Sequence, residues 1–329
     1  MIVNILHGFE SDLFSYMAGK TSSFSDVFLY ENSTEPKIWD FVIVFESITV
    51  PYDLHVRDGG LIFISGEPPE FSVLPRSFVD QFDIVFSSSN LKSGKALIVG
   101  RQIYNNWHFG LSHSMKEYQY SFDELSRLKM PSKTKALSMI SSNLRRSSEH
   151  RTRFDLFERL KKDFGSHIGM YGRGSNFIDD KRQALMPYRY HIAIENCSVM
   201  GVWTEKLADS FLGFCCPIYS GCPNVVSFFP ESSILKVDAS KIDDVLAVVD
   251  NILANSEITY KERIESIVVS RQRLFKQYNI LSLAISLFPN LDDAHVRAVR
   301  PADTFSGYKI LGARKKFFRQ ALKVIDDCF

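Results

Sequence analysis

The stretch Phe41-Val42-Ile43-Val44-Phe45 consists of five β-branched or aromatic residues with no polar residue between them. Such a run is typical of a strand that is buried on both faces of a parallel sheet. Similar short runs lie on either side of it, and each is followed by polar or turn-forming residues: 2–6, 27–30, 61–64, 84–86 and 96–99. The first 110 residues are therefore predicted to form a parallel α/β domain.

The second half of the chain repeats this pattern with longer helical segments. Strands are predicted at 136–140, 167–171, 190–194, 215–219 and 234–237, and helices at 151–162, 204–212, 242–253 and 256–277. The polar segment 113–132, which contains Pro131, is the predicted boundary. We expect two Rossmann-like, doubly wound domains at 1–130 and 131–300 that face a central cleft, followed by a tail at 301–329.

Composition limits the class of protein. The chain has 329 residues, 45% of them hydrophobic, and its net charge of +1 argues against a nucleic-acid-binding surface over the whole protein. No run of about 18 apolar residues is present, and the N-terminus lacks the pattern of a signal peptide. The five cysteines show no metal-binding spacing and are expected to be reduced. A cytoplasmic location is therefore predicted.

The near-neutral total charge hides an uneven distribution. Residues 1–130 carry a net charge of −6, residues 131–300 carry +4, and residues 301–329 carry +3. Sites for anions are therefore expected in the second domain or the tail.

The stretch Tyr188-Arg189-Tyr190-His191-Ile192-Ala193-Ile194-Glu195-Asn196-Cys197 is the most informative for function. Its apolar strand ends at Glu195 and Asn196, and Thr204-Glu205-Lys206 follows at the predicted start of a helix. A helix N-terminus that carries a lysine is a suitable anion site. Taken alone, Glu205 and Lys206 would be more typical of a solvated surface pair.

These pieces, in this order, resemble the donor-site signature of the α-1,3/4-fucosyltransferases, glycosyltransferase family 10. Two further stretches, Pro217-Ile218-Tyr219-Ser220-Gly221 and Val237-Asp238, match later parts of that signature, so the similarity spans roughly residues 136 to 250. The resemblance implies a GT-B fold whose C-terminal helix packs back on the first domain. It also implies a metal-independent, inverting transferase without a cofactor, which uses GDP-fucose as donor.

The resemblance also assigns residues to the donor. Arg151 matches the arginine that contacts the donor pyrophosphate, with Arg153 as the second choice. Lys206 supplies the other positive charge. The remaining assigned donor-binding residues are Glu195, Asn196, Glu205, Tyr171, Arg173 and Tyr219.

A carboxylate in the first domain is the candidate general base. In Ser65-Gly66-Glu67-Pro68-Pro69-Glu70, Glu67 follows a predicted strand and is held in a proline-stiffened loop. The family has Glu-Ser-Pro at this place, so the resemblance implies that Glu67 deprotonates the acceptor hydroxyl, with Glu70 as the second choice. A surface-loop carboxylate without a catalytic role is the alternative.

The sequence departs from the family where the sugar of the donor is expected. Val202 stands where the family usually has Tyr, and Trp203 replaces a small aliphatic residue. Either Trp203 or Tyr219 compensates, or the donor sugar differs from fucose. Three functions therefore remain: transfer of fucose from GDP-fucose to an N-acetylglucosamine-type acceptor of a bacterial surface glycan such as lipopolysaccharide, a GT-B transferase for another nucleotide sugar, and non-catalytic binding of a nucleotide sugar or glycan.

The tail is a predicted basic amphipathic helix. Leu311, Phe318, Leu322, Ile325 and Phe329 recur at mostly three- and four-residue spacing, with basic residues largely off that face. Residues 311–329 are expected to pack on the first domain, to contact an anionic membrane surface that carries a glycolipid acceptor, or both. No nucleic-acid partner is expected.

Overall fold

The structure is a computed structural model of the chain. It describes residues 1–9, 14, 16, 19–20, 26–65, 72–100, 107–141, 148–172, 175–287, 291, 293–305 and 309–310.

The strands in these ranges are short and alternate with helices in the second half of the chain. They are β1 (Ile2–Leu6), β2 (Gly19–Lys20), β3 (Phe28–Glu31), β4 (Ile38–Trp39), β5 (Phe41–Phe45), β6 (Tyr52–Arg57), β7 (Leu61–Ile64), β8 (Ser72–Val73), β9 (Ile84–Phe86), β10 (Leu97–Val99), β11 (Leu111–Ser112), β12 (Glu117–Tyr118), β13 (Lys135–Ile140), β14 (Ile168–Tyr171), β15 (Tyr188–Ile194), β16 (Cys216–Ser220), β17 (Leu235–Lys236), β18 (Ala294–Val299) and β19 (Lys309–Ile310).

The α-helices are concentrated after residue 148. They are α1 (Arg76–Val79), α2 (Phe122–Ser126), α3 (Ser148–Phe164), α4 (Arg182–Leu185), α5 (Glu205–Leu212), α6 (Ile242–Lys261), α7 (Ile264–Lys276) and α8 (Ile280–Leu287). The predicted break after residue 253 is present as a non-helical Asn255 inside α6. In the part of the chain that the structure describes, no helix is both long and apolar enough to cross a membrane.

The chain forms two compact units whose limits differ from the predicted ones. Unit 1 comprises Met1–Asn105, Tyr120–Glu124 and the described residues from Lys276 onward, and unit 2 comprises Asn106–Gln119 and Leu125–Phe275. The prediction that the second domain extends to residue 300 is therefore wrong. The reason is that β18 belongs to unit 1, where it pairs along its whole length with β6.

Unit 1 is built on a seven-stranded sheet. Its order is β10-β9-β7-β5-β1-β3-β2, and every pair is parallel except β2 with β3. All five side chains of β5 are buried, as the unbroken apolar run predicts. On β7, Phe63 packs against Phe78 and Phe82 at ring distances of 5.2 Å. The six parallel strands follow the doubly wound order 2-1-3-4-5-6.

Unit 2 contains a five-stranded sheet in which every pair is parallel. Its order, β14-β13-β15-β16-β17, corresponds to 2-1-3-4-5 along the chain. Helices α3, α4, α5 and α6 pack against this sheet. The prediction of two parallel α/β domains, the composition of a GT-B fold, is confirmed.

Close backbone contact at one edge of this sheet requires glycine. Gly172 directly follows β14 and has a φ of +118°, and a Cβ there would lie 2.0 Å from the carbonyl oxygen of Ser141. Ser141 follows β13, so the carboxyl ends of these two strands approach each other closely.

Four cysteines lie within the described residues, and all are free thiols: Cys197, Cys215, Cys216 and Cys222. The last three are buried, which agrees with the prediction of reduced, structural cysteines.

Candidate active site

The strand order of unit 2 defines where a ligand binds to its sheet. In an open parallel sheet, ligands bind beyond the carboxyl ends of the strands, where neighbouring strands connect in opposite directions. In the order 2-1-3-4-5 this point lies between β13 and β15. Glu195 and Asn196 follow β15 directly and therefore lie at this place.

Helix α5 begins close to the same strand end. Thr204 is its N-cap residue, and its Oγ1 accepts a hydrogen bond from the backbone N–H of Lys206 at 3.4 Å. The Thr204 N–H donates to Glu195 Oε1 at 2.8 Å, and the Thr204 hydroxyl donates to Glu195 Oε2. Glu195 therefore fixes the start of α5 to the end of β15.

Glu195 has a fully buried side chain. Burial raises the pKa of its carboxyl group, although Lys206 and the two hydrogen bonds from Thr204 oppose this shift. Tyr219 also donates to Glu195 Oε1 at 3.3 Å, and a Cβ at Gly221 would lie 2.4 Å from Glu195 Cγ. Glu195 is thus enclosed by protein groups, and it holds the neighbouring residues of the site in place.

Lys206 projects from the first turn of α5 between two carboxylates. Its Nζ lies 2.9 Å from Glu205 Oε1 and 3.8 Å from Glu195 Oε2. Burial lowers the pKa of Lys206, but these two negative charges raise it above its ordinary value. The side chain keeps 22% of its surface exposed, so a charged ammonium group remains accessible beside the helix N-terminus.

Glu205 is the partner of Lys206 on the same turn. Burial alone would raise the pKa of its carboxyl group, but the positive charges of Lys206 and Lys181 lower it well below the ordinary value. Glu205 is therefore ionised throughout the neutral range.

The two candidate arginines of α3 occupy different environments. Arg153 is buried, its Nη1 donates to Asn196 Oδ1, and its charge acts on Lys206. Arg151 is exposed. Two residues correspond to about 200° around a helix, so the two side chains point in nearly opposite directions. The structure thus brings the second-choice residue, Arg153, to Asn196 and Lys206.

The aromatic residues assigned to the donor lie in or near the core. Tyr219 is buried, donates to Glu195, and accepts a hydrogen bond from the Cys222 N–H at 3.0 Å. Tyr171 shares a 2.7 Å hydrogen bond with the hydroxyl of Tyr188, and burial followed by this contact raises its pKa to about 12. Tyr219 therefore supports Glu195, and Tyr171 belongs to the end of β14.

The two departures from the family signature are packing residues. Val202 and Trp203 are both buried, and the Trp203 ring packs edge-on against Phe229 at 5.2 Å and Phe228 at 6.3 Å. Trp203 thus fills the core behind the loop between β15 and α5.

Three of the assigned residues lie outside the described ranges: Glu67, Glu70 and Arg173. The strand that precedes Glu67 is present as β7, and the Ser65 N–H at its end donates to Phe86 O at 2.9 Å.

A buried polar cluster next to α5 is not among the groups predicted from the sequence. Lys181 Nζ contacts Asp209 Oδ2 at 2.7 Å, and Asp209 Oδ1 accepts hydrogen bonds from the backbone N–H groups of His108 and Phe109. The four-residue spacing between Glu205 and Asp209 places both on one face of α5. That spacing is a signal within the sequence, whereas no local pattern points to Lys181.

Within the ranges that the structure describes, no group of three or more His, Cys, Asp or Glu side chains is arranged to hold a metal ion. The charges gathered at the end of β15 are instead two cations, Arg153 and Lys206, with the acceptor groups of Asn196, Glu195 and Glu205. Such an arrangement is suited to a ligand that carries both phosphate and hydroxyl groups.

Comparison with solved structures gives partial similarities. A crystal structure of an alpha1,3-fucosyltransferase with GDP-fucose is 16% identical over 85% of this chain and 92% of that chain, with a TM-score of 0.46. A trehalose-6-phosphate synthase, OtsA, is 10% identical over 76% of this chain and 71% of that chain, with a TM-score of 0.42. The protein TarM is 12% identical over 63% of this chain and 44% of that chain, with a TM-score of 0.41.

Comparison with known sequences gives a match for part of unit 2. No curated protein sequence matches the chain significantly. Residues 130–264 match the family described as glycosyltransferase family 10 (fucosyltransferase) C-term, and this match contains β13 to β17 together with Arg153, Asn196, Glu205 and Lys206. Residues 130–264 are thus similar to the C-terminal domain of glycosyltransferase family 10, the fucosyltransferase family.

Proposed function

We propose that this enzyme transfers L-fucose from GDP-fucose, with inversion, to a hydroxyl group of an N-acetylglucosamine-type acceptor in a bacterial surface glycan such as lipopolysaccharide. The linkage formed would be α-1,3 or α-1,4. The observation that carries the proposal is the pairing of Arg153 and Lys206 at the end of β15, inside a family 10 domain.

The two cations act on the departing nucleotide. As the bond between the sugar and the diphosphate breaks, negative charge develops on the phosphate oxygens. Fixed positive charges in a partly buried site stabilise this charge without reorganisation of solvent. Lys206 is held in place by Glu205 and Glu195, and Arg153 by Asn196. Arg153 therefore takes the role that the sequence suggested first for Arg151.

The hydroxyl groups of the donor sugar require hydrogen-bonding partners near the two cations. Glu205 and Asn196 are placed for this role, because both are only partly buried and both lie beside a positive side chain. Glu195 is fully buried, and its contribution to the proposed reaction is to hold Thr204 and Lys206.

Glu67 is the proposed general base, on the evidence of the Glu67-Pro68-Pro69 motif after β7. It would take the proton of the acceptor hydroxyl as that oxygen attacks the anomeric carbon. Glu67→Gln is expected to reduce turnover by about 10²–10⁴-fold, the size of a general-base contribution, while GDP affinity stays within about twofold. A variant that keeps more than roughly a tenth of wild-type turnover would exclude Glu67 as the base.

The proposed reaction uses two cations in place of a divalent ion. Turnover is therefore expected to be unchanged after treatment with EDTA. Complete loss of turnover that Mn²⁺ restores would refute this part of the proposal.

Incubation with GDP-fucose and a panel of acceptor disaccharides tests the proposed function. NMR of the product gives the acceptor, the linkage and the configuration at the anomeric carbon. We expect a fucosylated N-acetylglucosamine-containing product with inverted configuration. Transfer from UDP-, CDP- or ADP-sugars alone would favour a different donor, and nucleotide binding without any transfer would favour a binding protein.

We further propose that the enzyme is cytoplasmic and that residues 311–329 contact the membrane surface where a glycolipid acceptor resides. These residues lie outside the described ranges, so this proposal rests on their basic and apolar pattern. Co-sedimentation with anionic vesicles, compared between the full chain and a variant truncated after Ile310, tests it. Equal sedimentation of both proteins would contradict membrane contact through this segment.

A further inference from the structure

The segment 107–110, here called the strap, is bound to unit 2 through its backbone. The N–H groups of His108 and Phe109 both donate to Asp209 Oδ1 at 3.0 Å. The Gly110 N–H donates to Asp180 Oδ1 at 3.1 Å. Both carboxylates are buried, so this part of the strap has a fixed position relative to α5 and to the residues before α4.

Lys181 completes the coordination of Asp209. Its Nζ lies 2.7 Å from Asp209 Oδ2, and the two side chains are 8% and 2% exposed. Both oxygens of the Asp209 carboxylate therefore have partners inside the protein. The ion pair joins α5 to the start of α4, and the same carboxylate joins α5 to the strap.

The far end of α5 is also held closely. Gly213 is its C-cap residue, and a Cβ there would lie 2.6 Å from Leu185 Cβ and 3.3 Å from the Phe109 ring. Helix α5 thus contacts the strap and α4 both at Asp209 and at its C-terminus. The N-terminal turn of α5, which carries Glu205 and Lys206, is the part of the helix that is placed to contact a ligand.

Stability alone is a weak reason for a buried ion pair, because apolar residues of similar volume are often equally stabilising. The position of the pair suggests another role. Asp209 lies one turn after Glu205 on the same face of α5, and Lys181 acts electrostatically on both of them.

We propose that Lys181 is a positioning residue of the donor site. Its ion pair with Asp209 sets the N-terminal turn of α5 relative to the strap, and its buried positive charge keeps Glu205 ionised and paired with Lys206. Lys181 acts through α5 and makes no contact with the donor. This inference rests on the proposed function in that it assumes the donor binds at Glu205 and Lys206.

Several charged groups face Glu205 and determine how it titrates. Lys206 lies beside it on α5, Lys181 and Asp209 lie below, His108 comes from the strap, and Glu195 comes from the end of β15. Burial, followed by the charge of Lys181, lowers the pKa of His108 to about 3, so His108 is neutral near pH 7. Lys181 is therefore, among the described residues, a positive charge that acts on Glu205 from outside its own helix.

Three variants isolate the charge of Lys181: Lys181→Met, Asp209→Asn and the double variant Lys181→Met/Asp209→Asn. The readout is the pKa of the Glu205 carboxyl group, measured by ¹³C NMR without any ligand and assigned with Glu205→Gln. Lys181→Met is expected to raise this pKa by roughly one unit, and Asp209→Asn to lower it. The double variant is expected between the two single variants.

GDP affinity and thermal stability complete the experiment. Lys181→Met leaves Asp209 buried without its cation, so the Tm should fall by roughly 10 °C. The double variant should recover most of that loss. Affinity for GDP should fall about tenfold in Lys181→Met and stay low in the double variant, whereas Lys181→Arg restores it. Lys261→Met, which removes a lysine from an exposed pair with Glu257, is the control for net charge and should bind GDP like the wild type.

A purely structural role predicts a different pattern. The pKa of Glu205 would then be the same in Asp209→Asn and in the double variant, which differ only at Lys181, and GDP affinity would return with the Tm. Either result overturns the inference, and the first comparison remains decisive if Lys181→Met alone does not fold. If the wild type binds no GDP, the proposed function fails, while the NMR titration still decides whether Lys181 controls Glu205.

Discussion

Arg151 and Arg153 lie two residues apart on α3, yet only Arg153 is in contact with the candidate site. Its guanidinium group donates to Asn196 and acts on Lys206, whereas Arg151 is exposed. A buried guanidinium group with a fixed partner is already oriented, so a diphosphate that binds near it orders fewer groups. An exposed arginine has to be ordered when the ligand binds.

Arg153→Met is therefore expected to weaken binding of GDP by about 10- to 100-fold, the loss of one or two charge-assisted contacts. Methionine keeps much of the apolar stem, so that packing is largely retained. Arg151→Met is the matched control and should change the Kd by less than about twofold. Calorimetric titration of both variants with GDP measures the difference. A larger effect at Arg151 would return the assignment to that residue.

Glu205 links the charge arrangement of the site to the stability of the protein. Its pKa in the folded protein lies well below the value of 4.5 expected in the unfolded chain. Protons therefore bind the unfolded chain first as the pH falls. The stabilisation from ionised Glu205 is complete above about pH 4.5 and is lost as the pH falls through the folded-state pKa.

Glu205→Gln is thus expected to lower the free energy of unfolding at pH 7, because it removes a carboxylate that the charges of Lys206 and Lys181 stabilise. The difference from the wild type should shrink as the pH falls below about 4.5. Denaturant unfolding at several pH values measures it. Glu257→Gln, in the exposed pair with Lys261, is the control and should show little change at any pH. A constant difference across the whole pH range would contradict this account.

At the scale of single residues, the sequence identified most of the polar groups at the end of β15 but not which of these groups pair with each other. Glu195, Asn196, Glu205 and Lys206 were recognised as a set, and the structure brings them together. Which arginine faces inward depends on the rotation of α3, and a motif with arginines at both 151 and 153 leaves that rotation open. Only the structure shows that Lys181 is close to Glu205, because the two residues lie 24 positions apart in the sequence.

Among the elements, the connection between β15 and α5 positions the residues of the candidate site. Thr204 caps α5, and its N–H and hydroxyl both donate to Glu195 at the end of β15. Because Glu195 is fully buried, water cannot readily replace Thr204 as its hydrogen-bond donor. Losing the hydrogen bonds from Thr204 would therefore cost free energy. The position of Lys206 is therefore set by Thr204 and Glu195 together.

Thr204→Val should destabilise the protein by about 1–2 kcal/mol, because it removes the N-cap oxygen and leaves Glu195 Oε2 without its hydroxyl donor. For a chain of 329 residues the Tm should fall by roughly 1.5–3 °C. Thr204→Ser keeps the hydroxyl group and is the matched control, with a smaller loss expected. Thermal unfolding measures both. A loss in Thr204→Val that is no larger than the loss in Thr204→Ser would contradict a dominant role of the hydroxyl group.

The strands of unit 1 were predicted with different accuracy. The unbroken apolar runs gave the parallel strands β1, β5, β7 and β9 with the same limits in the structure. Strand β6 was missed although Leu54 and Val56 alternate with more exposed neighbours, the usual pattern of a half-buried strand. Its antiparallel partner β18 lies more than 230 residues away in sequence. The prediction that residues 276–300 belong to the second domain failed because such long-range pairing leaves no local signal.

For the whole molecule, a net charge of +1 conceals an uneven distribution of charge along the chain. The segment of net charge +4 contains the cations Arg153, Lys181 and Lys206. Unit 2 matches the family 10 domain and has the doubly wound order that places Glu195 and Asn196 at a ligand-binding edge. The central claim is that this edge binds a guanosine diphosphate sugar through Arg153 and Lys206.

Calorimetric titration of the full chain with GDP, UDP, CDP and ADP tests this claim most directly. GDP is expected to bind at least about tenfold more tightly than the other nucleotides. The Arg153→Met/Lys206→Met variant is expected to lose most of this affinity while remaining folded. Equal affinity for all four nucleotides, or GDP binding that survives the loss of both cations, would contradict the claim.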